Sequence, residues 1–117
     1  IALVNGQEKC IFPESDWKLL RKIQEEALAE ACEQAFVVVE RIAENRTGRE
    51  HEAYLELWKY FKEKDREIAN TFNNINRNNA MRSLINMVTY ESISKGKLAE
   101  FTEETQQKVL LMTQDRK

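Results

Sequence analysis

The chain has one histidine, His51, and Arg46 stands five positions before it. An imidazole titrates near neutral pH, and a guanidinium can stabilise charge developing on a phosphoryl group. Arg46-Thr47-Gly48-Arg49-Glu50-His51 therefore holds the ingredients for attack on a phosphodiester. The competing reading is a solvated histidine in the first turn of a helix. One histidine excludes sites that need two, such as His-Glu-x-x-His or paired Glu-x-x-His helices. The two cysteines, Cys10 and Cys32, lack metal spacing, and no Gly-rich phosphate loop, nucleophile elbow or Cys-x-x-Cys occurs. The expectation is a non-enzymatic protein without metal or cofactor.

Binding is the better-supported chemistry. Tyr54, Trp58, Phe61, Asp65, Ile68, Phe72 and Ile75 step by 4, 3, 4, 3, 4 and 3 residues, which places them on one helix face. Aromatic residues at that spacing are usually core. Asp65 is the exception in the stripe. A carboxylate on an apolar face must be paired, hydrogen-bonded or at a wet edge. It could bridge to Arg77 or Arg82. The reading preferred is the edge of a partner-binding groove, with Trp58, Phe61, Lys62 and Asp65 as the protein-binding residues. An aromatic anchor beside mixed charge is the composition of interface hot spots.

The elements that carry these residues follow from few breaks. Only three Gly and one Pro occur in 117 residues, and about a third of the residues are charged, which suits amphipathic helices. Asn5-Gly6 between two short apolar runs reads as a β-hairpin or arm over residues 1–13. Ser15 is a candidate N-cap, and nothing breaks a helix over 15–45. That helix has two apolar stripes. One runs Leu20, Ile23, Ala27, Ala31, Ala35, Val38 and Ile42; the other holds Trp17, Leu28, Cys32, Phe36, Val39 and Ala43. Gly48 closes the segment, and a second helix covers 49–75. Five asparagines between Asn73 and Asn79 predict a break. A third helix is expected over 79–94, stopped by Gly96, with Met81, Leu84, Ile85 and Val88 inward. Thr102 caps a last helix over 102–113 carrying Val109, Leu110 and Met112. The fold class is all-α, one domain: a long first helix, a helical hairpin and a short last helix.

Two apolar stripes on helix 1 predict self-association. A homodimer would pair the helices through Ala27, Ala31, Cys32 and Ala35, where small side chains allow close approach. Acidic and basic residues nearly balance, 20 against 18, and residues 1–45 hold nine acidic and five basic groups. Without a broad basic footprint, nucleic acid is not the expected partner, and a nucleic-acid-binding helical protein using Arg77, within the asparagine cluster, and Arg82, just after it, is a further alternative. No apolar run reaches membrane-spanning length and no signal-peptide pattern is present, so the expected setting is cytoplasmic, with an unidentified protein as partner.

Two family resemblances follow from these residues. The Arg46 to His51 spacing is similar to the Arg-x4-6-His motif of the HEPN ribonucleases, which implies a small ribonuclease as the alternative function. More of the chain, about residues 15–112, resembles the fluorescence recovery proteins. Leu57-Trp58-Lys59-Tyr60-Phe61-Lys62-Glu63-Lys64-Asp65-Arg66-Glu67-Ile68 looks like that family's second helix. Lys97-Leu98-Ala99-Glu100-Phe101-Thr102-Glu103-Glu104 through Lys108-Val109 looks like its Leu-rich turn and last short helix. The long first helix opening with Trp17 also fits. The resemblance implies a small dimeric helical protein that regulates a partner. In the family, that partner is the photoactivated orange carotenoid protein. Aligned on Glu67-Ile68, this sequence has Leu55, Trp58, Lys59 and Asp65 at the family's Trp, His, Asp and Arg partner-binding positions. The asparagine-rich segment replaces its Tyr-Asp-Tyr-Arg turn. The resemblance therefore implies the fold more than that particular partner.

Overall fold

A computed structural model describes residues 12–114, and the chain there is helical without a strand among the described residues. The elements are α1 (Glu14–Glu44), α2 (Glu50–Phe72), α3 (Ala80–Thr89), α4 (Lys95–Leu98) and α5 (Glu103–Gln114). The hairpin expected around Asn5-Gly6, and Cys10, lie outside the described residues. No helix is long and apolar enough to cross a membrane among the described residues.

Capping sets the bounds. Pro13, not the expected Ser15, takes the N-cap place of α1, and its carbonyl accepts from the Trp17 amide at 2.8 Å; Ser15 lies inside the helix. Glu14 and Asp16 put negative charge in the first turn, where the helix dipole favours it. At the other end the Asn45 side chain donates to the Arg41 carbonyl at 2.9 Å, and Arg46 Nη1 donates to the Ala43 carbonyl at 2.6 Å. Gly48 then turns the chain at φ 84°, which a Cβ would oppose. The asparagine cluster ends α2 as its side chains predict. Asn76 Oδ1 accepts from the amides of Asn78 and Asn79, and Asn79 Oδ1 accepts from the Asn76 amide. Asn74 takes the left-handed conformation that asparagine tolerates, at φ 56°.

Two expected bounds need correction. Helix α3 ends at Thr89, not near Ser94. The Ser92 amide donates to the Met87 carbonyl and the Glu91 amide to the Val88 carbonyl, at 2.8 and 3.1 Å, with Glu91 at φ 59°. That is a Schellman ending with glutamate where glycine is usual. Gly96 therefore does not stop α3 but sits inside α4, whose first turn Ser94 caps by accepting from the Lys97 amide.

The core gathers at one end. Trp17, Leu20, Ile23 and Ala27 of α1 pack with Ala80, Leu84, Ile85 and Met87 of α3 and with Leu98, Phe101 and Val109 behind them. Asp16 locks this head. It is 2 % exposed and accepts from the Thr102 amide at 3.0 Å, Thr102 Oγ1 at 2.7 Å and Thr105 Oγ1 at 2.6 Å. The start of α1 is thus bonded to the start of α5. Arg77 grips Glu14 with both terminal guanidinium nitrogens and lies over the Trp17 ring at 5.4 Å, as Arg21 does at 5.5 Å. The α2–α3 loop is clamped to α1 by this pair. The molecule measures 64 × 26 × 25 Å, because α1 and α2 run on past the head as a two-helix arm.

Candidate interaction site

The arm presents a groove rather than a closed core. Cys32, Ala35, Phe36 and Val39 of α1 face Tyr54, Leu57, Trp58, Phe61 and Ile68 of α2 around about 600 Å³. Both sides keep helical spacing: 32, 35/36, 39 on one helix and 54, 57/58, 61, 68 on the other. The first α1 stripe, Leu20 to Ala35, is buried inside the chain. The second stripe, with Cys32 and Phe36, meets the aromatic stripe of α2 and lies open. Phe36, Tyr54, Trp58 and Phe61 are 63, 66, 61 and 54 % exposed. The expectation that rings at this spacing form core is therefore corrected. Tyr54 to Phe72 share one face of α2, but the helix ends at Phe72 rather than at Ile75, and of the stripe only Phe72 and Ile75, the latter in the loop beyond the helix, pack on the core.

One end of the groove is polar and tied to the head. Lys64 is only 7 % exposed; its ammonium donates to Glu67 Oε2 at 2.7 Å and to Gln34 Oε1 at 2.9 Å. Gln34 Nε2 in turn donates to the Glu91 carbonyl at 2.9 Å. An ammonium buried in an apolar wall needs such hydrogen-bond partners. The chain of bonds runs from α2 through α1 to the end of α3, and it sets where arm meets head. Sequence reasoning passed over Lys64; a lysine in the middle of a charged helix carries no mark of burial.

The expected site residues are divided by the structure. Trp58, Phe61 and Asp65 line the groove together, while Lys62 is exposed beside it. Asp65 is exposed at the groove's edge, and Arg77, one of its two expected bridge partners, pairs with Glu14 instead. Of the dimer residues, Cys32 is exposed in the groove. Ala27, Ala31 and Ala35 are buried in the chain, so their small side chains serve packing within the protomer. Of the three, only Ala35 also borders the groove. Of the apolar residues Val109, Leu110 and Met112 on α5, Val109 is buried and the other two stand about half exposed.

Arg46 closes the last turn of α1, and His51 is exposed in the first turn of α2. Glu50 is held below its ordinary range by its own amide and that of Gly48, with a smaller pull from Arg46. No group of His, Cys, Asp and Glu suited to hold a metal occurs among the described residues. Compared with known protein families, curated proteins and solved structures, the chain matches none.

Proposed function

We propose that this chain is a non-enzymatic, homodimeric protein-interaction and regulatory module. The observation that carries the reading is the arm's open aromatic groove. Four rings more than half exposed leave on the order of 500 Å² of aromatic surface in water. That is at the upper end of the apolar patches monomers carry. Pairing two such faces buries on the order of 1,000 Å², enough with a polar rim for a specific interface. Two arms laid together make a four-helix bundle, the usual way helix pairs bury a second face. The proposed setting is the cytoplasm, where Cys32 stays reduced.

Kinship with the fluorescence recovery proteins is part of this proposal at the level of fold. The long first helix, the helix from Trp58 to Ile68 and the turn at Leu98 before a helix begun at Thr102 support it. The altered positions Leu55, Trp58, Lys59 and Asp65 speak for a different partner.

Cys32 reports on the groove. In a Cys10→Ser variant, maleimide alkylation of Cys32 should slow several-fold as protein rises from about 0.5 to about 100 µM, because association covers the thiol. Alkylation independent of concentration would contradict the homodimer.

A further inference from the structure

A second concavity lies on the head, away from the aromatic groove. Its volume is about 1060 Å³, and it is bounded by α1, by α5 and by the end of α3 with the loop that follows. Ile23 and Ala27 of α1, Val88 of α3 and Leu110 of α5 supply apolar surface. The rim carries three carboxylates, Glu26, Glu30 and Glu91, against one ammonium, Lys95. Lys97 offsets Glu26 in part, at 3.7 Å. The imbalance extends beyond the rim: residues 23–40 of α1 contain five Glu and no Lys or Arg.

We propose that this cleft receives a basic amphipathic helix from a partner protein. Its two helical walls argue for a helix. On α1 the lining positions are 23, 26, 27 and 30, and on α5 they are 106, 110 and 113. Each wall offers one face over two turns, about 11 Å long. An incoming helix would lay i, i+3, i+4 and i+7 side chains between those faces, as in helix-in-groove recognition. An extended strand would find no sheet edge to add to among the described residues. The volume also sits at the upper limit of small-molecule pockets. Charge selects the sign of the partner. Lysines or arginines flanking its apolar face would meet Glu26, Glu30 and Glu91, whereas an acidic helix, nucleic acid or anionic lipid would be repelled.

The probe is a fluorescent peptide of about sixteen residues, long enough to be helical when bound, with Leu at i, i+3, i+4 and i+7 and Lys elsewhere. Its comparator has every Lys replaced by Glu. Anisotropy titration should show saturable binding of the Lys peptide, at least about tenfold tighter than the Glu peptide and weaker as salt rises from about 50 to about 300 mM. Glu26→Lys/Glu30→Lys should weaken it at least about tenfold. Glu40→Lys/Glu44→Lys, on the same helix at the same spacing but outside the cleft, should shift it less than about twofold. All four positions are exposed, so both variants should keep the parent's helical circular dichroism. Equal loss in the two variants would mean diffuse attraction to α1 and overturn the proposal. So would equal affinity for the two peptides, or absence of binding at about 100 µM.

Discussion

Removing the Asp16 carboxylate leaves three donors without an acceptor: the Thr102 amide and the hydroxyls of Thr102 and Thr105. The group is buried, so water does not replace it cheaply. Asp16→Ala should lower unfolding free energy by about 3 kcal/mol in urea titrations, and a loss under about 1 kcal/mol would contradict its role as the latch. Glu14 gives a pH signature of the neighbouring clamp. Its carboxyl is held below the ordinary 4.5, first by the hydrogen bond from Arg77, which outweighs the opposing effect of desolvation, with lesser pulls from the charges of Arg77 and Lys18. A depressed folded value means the stabilisation is present above the unfolded value and lost as pH falls through the folded one. The stability advantage of the parent over Glu14→Gln should therefore hold at neutral pH and shrink as pH drops below 4.5. Both partners are solvent-exposed, so the effect is small; a difference that grows on acidification would contradict the assignment.

At the scale of elements, the end of α3 shows where local rules bend. Glu91 occupies the left-handed position that glycine takes in most Schellman endings. Glu91→Gly should stabilise the fold by about 0.5–1 kcal/mol, because its backbone bonds remain and the strain of a side chain goes. A lower melting temperature in that variant would show that the Glu91 side chain holds the turn. The same element explains a misread bound. Ile93 prolongs the apolar pattern, and the first glycine after α3 is Gly96, so nothing in the residue types marks Thr89 as the end. Other elements were plainly written: the asparagine break, the turn at Gly48 and the helix starting after Thr102 follow from side-chain chemistry that acts within a few residues. What covers a helix face is not local. Periodicity showed that Tyr54, Trp58 and Phe61 share a face, and it showed two stripes on α1. It could not show that Ala27, Ala31 and Ala35 would be covered within the protomer while Phe36 stays open. Asp16 was equally hidden, since a first-turn aspartate is also what a solvated helix start looks like.

The whole molecule is a packed head with an under-packed arm. The head buries Leu20, Leu84, Met87 and Val109 completely, and Asp16 and Arg77 fasten its edges. The arm has two helices where burial of both apolar stripes would take more, and this asymmetry is the basis for assigning it to association. Static light scattering from about 100 down to about 1 µM tests that assignment most directly. The parent should give twice the 13.8 kDa chain mass at the upper concentrations. Trp58→Glu/Phe61→Glu should give the single mass with unchanged helical circular dichroism. A parent that stays at 13.8 kDa across the whole range would contradict the account.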